Sequence, residues 1–189
     1  DDDSVQVGDD AQLDGADFFE KGQSVYVVAT ASDGTLEGSA ASDAVMVGNT
    51  PPAAPTVAVT PDVASSGEAL VCSVTAPSAD SDADIITYTM TWTVDGSAYT
   101  GVTQTSVWTG DTLPGSETAS GQTWTCLATP DDGEDIGDTA EASAIICALG
   151  TADCAAPSCL AILEADASAA SGMWSVDPDG SGASEVYCD

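Results

Sequence analysis

Histidine and arginine are absent from the 189-residue sequence, and Lys21 is its only cation. The chain therefore offers no imidazole base, no guanidinium clamp for anions and no cationic face for a phosphate backbone. Nucleic-acid binding is excluded, and acid–base catalysis has only carboxylates to draw on. Bulky apolar residues are also scarce: Leu, Ile, Val and Phe number 33 of 189. No apolar run approaches the ~20 residues of a membrane span, so no membrane insertion is expected. There is no CxxC pair, which together with the missing His argues against zinc. No signal-peptide pattern opens the chain, which starts Asp1-Asp2-Asp3 and reads as a mature or trimmed product.

What is present is acid. Thirty-two Asp and Glu give a net charge of −31, a balance that suits salt or divalent cations, where self-repulsion is screened. So little bulk with so much charge is the composition of a disordered chain. Local pattern points the other way. Tyr88, Met90, Trp92 and Val94 alternate strictly with Thr87, Thr89, Thr91 and Thr93, the period-two signature of a half-buried antiparallel strand. The threonine row is the ordinary exposed face of such a strand. Six cysteines, an even number, suit an oxidising, extracellular or cell-surface setting. The expected fold is all-β, thinly filled with Ala and Val, and stapled.

Cys72 and Cys126 flank Trp92. Cys…Trp…Cys at this spacing resembles an immunoglobulin-like β-sandwich, in which an inter-sheet disulfide packs on a strand tryptophan. Strands are expected near 56–60, 69–75, 85–95, 103–108, 123–129 and 139–147. Leu70, Cys72 and Val74 share one face; Trp124, Cys126 and Ala128 share another. The two faces meet if Cys72 bridges Cys126.

An internal repeat sets the domain map. Leu13-Asp14-Gly15, Gly22-Gln23-Ser24-Val25-Tyr26-Val27-Val28-Ala29-Thr30 and Asp33-Gly34 match Leu113-Pro114-Gly115, Gly121-Gln122-Thr123-Trp124-Thr125-Cys126-Leu127-Ala128-Thr129 and Asp132-Gly133. Val27 stands in the place of Cys126. Residues 1–48 thus read as the C-terminal half of a sandwich, 49–55 as a proline-rich linker, 56–148 as a complete sandwich, 149–157 as a linker and 158–189 as a separate disulfide-bonded segment. Half a sandwich leaves apolar residues uncovered. A neighbouring copy donating strands, head to tail as a filament, is one way to cover them; trimming of the front half is the plainer one.

NTPPAAPTVAVTP, DSDAD and PDDGED resemble the tandem immunoglobulin-like modules of large secreted bacterial surface proteins of the myxobacterial type. There the modules are spacers in stalks. Cys159, a short helical stretch, DPDGSG and the closing VYCD resemble the start of a fibrinogen C-terminal-like domain. That resemblance implies a Cys159–Cys188 bridge, which leaves Cys147 and Cys154 to pair. It also implies a glycan or cell-surface ligand for the larger domain, although none of that family's binding residues falls in this segment.

Asp80, Asp82 and Asp84 precede one strand, and Asp131, Asp132, Glu134 and Asp135 follow another. In an immunoglobulin-like sandwich these two loops lie at the same end. Converging carboxylates are candidate ligands for calcium, which takes six to eight oxygens in flexible geometry; the plain alternative is a solvated acidic end. Asp177 and Asp179 lack the later ligands of an EF-hand and read as a tight turn. No residues are nominated for catalysis. The sequence reads as a non-catalytic extracellular structural or adhesive protein. The alternatives are a glycan-binding lectin and a non-catalytic region of a secreted enzyme.

Overall fold

The computed structural model describes residue 8, residues 12–107 and residues 110–189. Trp108, expected at the end of a strand, lies outside the described residues. A single-turn helix α1 (Gly15–Phe18) leads into four strands: β1 (Ser24–Val25), β2 (Val28–Ser32), β3 (Glu37–Ala41) and β4 (Val45–Met46). They form one folded-back hairpin, β1 against β4 and β2 against β3. β2, β3 and β4 are exposed throughout, and Val25 in β1 is half-buried.

The complete unit contains β5 (Thr56–Thr60), β6 (Val63–Ser65), β7 (Leu70–Ala76), β8 (Thr87–Val94), β9 (Ser97–Ala98), β10 (Gln104–Val107), β11 (Gly110–Leu113), β12 (Thr123–Asp131) and β13 (Ala140–Cys147). One sheet runs β10-β11-β7-β5 and the other β6-β13-β12-β8-β9. This two-sheet order, bridged by Cys72–Cys126 beside Trp92, is an immunoglobulin-like sandwich. The thin composition suffices because the core concentrates its bulk. Leu70, Leu113, Trp92, Trp124 and Ile146 surround the disulfide. Trp92 and Trp124 meet edge to face at 6.4 Å, and Tyr99 meets Trp124 at 5.1 Å, contacts worth about 0.5–1.5 kcal/mol each beyond burial. Closing a loop of 54 residues contributes about 4 kcal/mol in the chain-entropy account.

Strands β6, β9 and β11 have no counterpart in the sequence reading. β11 matters most, because it places Asp111 in the core. Asp111 is buried opposite Cys72. Its Oδ2 accepts from the Trp92 indole at 2.9 Å and its Oδ1 from the Thr112 amide at 2.9 Å, which offsets the cost of removing a carboxylate from water.

The two hairpins correspond in individual bonds. Ser24↔Met46 in the first hairpin is the equivalent of Thr123↔Ile145 in the second. Gly22 donates to Val47 as Gly121 does to Ile146. The Gln23 side chain accepts from the Glu20 amide as Gln122 accepts from Ala119. Asp33 accepts from the amides of Thr35 and Leu36, just as Asp132 accepts from Glu134 and Asp135. Both turns reach φ near +90° at a glycine, Gly34 and Gly133, where a side chain would be strained.

The C-terminal unit packs helix α2 (Cys159–Ala165) on a hairpin of β14 (Gly172–Val176) and β15 (Ser184–Cys188). Ser158 caps the helix by accepting from the Ala161 amide. A small core of Ala156, Ile162, Val176 and Cys188 lies beneath. Residues 149–157, expected as a linker, meet this unit at two points. Ser175 donates to Gly150 at 2.7 Å, and Ala156 forms an isolated parallel bridge to Val176, so the stretch is bonded to the end of β14. Cys147 pairs with Cys154 and Cys159 with Cys188. Ser181 donates to Asp179 through both its amide and its hydroxyl, a tight Asx turn.

Candidate functional site at the acidic junction

The turn between β7 and β8 carries Asp80, Asp82 and Asp84. Asp80 Oδ1 accepts from the amides of Asp82 and Asp84, at 2.8 and 3.2 Å, and curls the chain back on itself. Ala83 sits at φ 61° to make this possible. Carboxylate oxygens of all three lie within 4.8 Å of one another. Asp80 Oδ2 is buried and has no hydrogen-bond partner among the described residues.

The turn between β12 and β13 carries the second acidic set. Asp132 and Asp135 both accept from the Asn49 side-chain amide, at 2.8 and 3.0 Å. Asp131 Oδ1 is occupied with the Gly133 amide of its own turn. The Asp132 carboxyl is held below its ordinary range, first by the Asp135 amide, then by Asn49 and the Glu134 amide, against a small cost of burial. The two acidic sets do lie at one end of the sandwich. Among the described residues, only Asp80, Asp82 and Asp84 come close enough to share one ion.

Lys21 joins the two sets. It comes from the corner of the first repeat that precedes β1. Its ammonium donates at 2.7 Å to Asp84 and at 2.8 Å to Asn49, and pairs at 2.7 Å with Glu134. The hydrogen bonds it donates to Asp84 and Glu134 hold it protonated well above the usual lysine range. The linker adds to the same clasp, since the Thr50 amide donates to Asp82 at 2.7 Å. Gly137 lets the linker lie close, because a Cβ there would collide with the Pro52 carbonyl. A shallow groove of about 570 Å³ follows, lined by Pro52, Asp80, Ile136 and Asp138 among others. Lys21 was legible only as the one cation in the chain; its equivalent in the second repeat is Ser120. The arrangement bonds the first hairpin's corner and the linker to the loop end of the sandwich.

No family model and no curated protein matches this chain. Among solved structures it is similar to domains d3–d4 of the rat CD45 extracellular region, at 11% identity and a TM-score of 0.43, over 76% of this chain and 74% of that one. It is similar to a nucleoside hydrolase-related hypothetical protein from Saccharophagus degradans associated with carbohydrate metabolism, at 22% identity and 0.38, over 53% and 26%. It is also similar to the mouse nectin-like molecule 4 ectodomain, at 16% and 0.32, over 65% and 39%. The chain spans less than half the length of the last two.

Proposed function

We propose that this chain is a stretch of a non-catalytic extracellular surface protein, in which immunoglobulin-like modules stack head to tail as a stalk or fibre for adhesion. The junction is the observation that carries this reading. A corner of one repeat and the linker after it are bonded to the loop end of the next through Lys21, Asn49 and Thr50. Such bonds set the angle between consecutive modules, which a spacer requires. Three disulfides suit the oxidising exterior. The tandem order fits the secreted bacterial surface proteins of myxobacterial type that the motifs resemble. Antibody against this region should label intact cells of the source organism, and brief external proteolysis should remove the label; a signal seen only after permeabilisation overturns the reading.

Calcium belongs to the same proposal. Asp80, Asp82 and Asp84 supply close carboxylate oxygens, one of them buried without a partner, and calcium would add the charge that Lys21 alone cannot. A ligand at a hundred times its dissociation constant stabilises by about 2.7 kcal/mol. Chelation at constant ionic strength should therefore lower the melting temperature by several degrees, whereas an unchanged curve leaves a solvated acidic end.

The helix-then-hairpin order closed by Cys159–Cys188 favours one second reading, glycan recognition through a fibrinogen-like domain that residues 158–189 begin. The full reading frame separates it from the stalk and from a secreted enzyme carrying its catalytic domain elsewhere. A complete fibrinogen-like domain, further repeats, or a catalytic domain would each select one of the three.

A further inference from the structure

The two repeats share a hairpin bond for bond, yet they differ in what covers it. In the second repeat the inward side of β12 and β13 lies against β7, β5 and β11. Cys126 is 0% exposed there and Ala144 1%. Their equivalents in the first repeat, Val27 and Val45, are 70% and 65% exposed. The free edge differs too. β12 is hydrogen-bonded to β8 along its length, whereas β1 and β2 have no strand on that edge among the described residues.

We infer that the bare side of β1–β4 is a docking surface for the front half of an immunoglobulin-like unit. This occupant is a polypeptide segment patterned like residues 55–112 but not among these 189 residues. The second repeat specifies its chemistry. One strand, alternating as β8 does, pairs with the open edge of β1 and β2. A second sheet turns apolar residues toward Val27 and Val45, at the places that Leu70, Cys72 and Val59 hold. Because Val27 replaces Cys126, the segment needs no cysteine at the position of Cys72, and its seat is apolar contact and strand pairing alone.

A second copy of this chain is the poorer occupant, for reasons of number. Each chain carries two such hairpins and one front half, and that front half is already bridged to Cys126. Donating it would empty one sandwich to fill another. The inference stands apart from the stalk reading, since it concerns only what the first hairpin binds.

A graft tests it. Residues 55–112, carrying Val71→Leu as a mass label, are placed directly before Leu13 in a chain that also carries Val27→Cys. A disulfide from position 27 to the labelled Cys72 is expected, by analogy with the native bridge whose Cα atoms lie 6.2 Å apart. The amides of Val28–Ser32 should exchange at least about tenfold more slowly than in the parent. Val28→Cys, one residue along and facing outward, should stay reduced. Should the graft not fold, the same 55–112 segment is added in trans to the full chain carrying Val27→Cys. If position 27 remains open to alkylation in both formats, the inference is wrong. It is equally wrong if sedimentation shows the parent chain self-associating with protection of those same amides, because a second copy would then hold the surface.

Discussion

The first hairpin and its equivalent, β12–β13, keep the same turns, the same glutamine brace and the same pairing across Ser24↔Met46 and Thr123↔Ile145. One is a largely exposed ribbon and the other is the wall of a core. Local sequence is thus enough to specify the hairpin, because turn chemistry and the brace act within a few residues. Burial comes from elsewhere in the chain, through β7, β8 and the Cys72–Cys126 bridge. The energetic weight of equivalent positions should differ accordingly.

The largest effect should come from opening that bridge. Replacing Cys72 and Cys126 together with alanine should cost the sandwich about 4 kcal/mol, read by urea denaturation of the tryptophan signal. Amide exchange in β2 and β3 should be unchanged, because that ribbon has no bond to the disulfide; a parallel loss in both would erase the distinction between the repeats.

Next comes Asp111, a feature only the covered repeat possesses. Asp111→Ala leaves the buried Trp92 indole without this acceptor and should cost about 1–3 kcal/mol. Asp111→Asn retains an acceptor oxygen and should lose less. Equal losses for the two variants would mean that the Trp92 bond contributes little.

The clasp between the repeats should respond to pH with a defined sign. The Asp132 carboxyl is depressed in the folded chain, so its contribution is complete above the usual carboxylate range near pH 4 and is lost as pH falls through the lowered value. Lys21 is raised, so its contribution is complete below the usual lysine value near pH 10 and is lost only above its raised one. The junction should therefore hold across neutral pH and open in acid. Small-angle scattering would show this as an increase in radius of gyration below about pH 4. Lys21→Ala should loosen the angle at neutral pH, an effect that shrinks in high salt because the pair is partly exposed.

The smallest effect should come from the exposed face of the first hairpin. Val27→Ser should change stability by no more than about 0.5 kcal/mol, while Trp124→Ala, on the matching covered face, should cost about 3–5 kcal/mol. Thermal melts of the two variants would check it, and a large loss for Val27→Ser would show that something already covers that face in solution.

Much of this molecule was written in short-range pattern. Alternation through Tyr88, Met90, Trp92 and Val94 placed β8, because a strand's two faces see different surroundings. The repeat from Leu13 to Gly34 announced the first hairpin through the same glycines and the same Gln-Ser or Gln-Thr start. The two acidic loops could be placed at one end from the fold class alone. Other features had no local signal. Gly110–Leu113 has no alternation to mark it as a strand, and an aspartate in a core reads as a surface residue until its tryptophan partner is seen. Residues 149–157 look like a linker because their partners, Ser175 and Val176, lie some twenty residues on. Lys21 meets Asp84 and Glu134 across 63 and 113 positions of sequence, and no pattern in the chain links them. Periodicity, turn chemistry and cysteine spacing determined the class of fold and its repeats, since each acts over a few residues. Tertiary structure decided which of two equivalent faces became a core, where the single cation went and which acid was buried, because those depend on charges and surfaces that only the folded chain brings together.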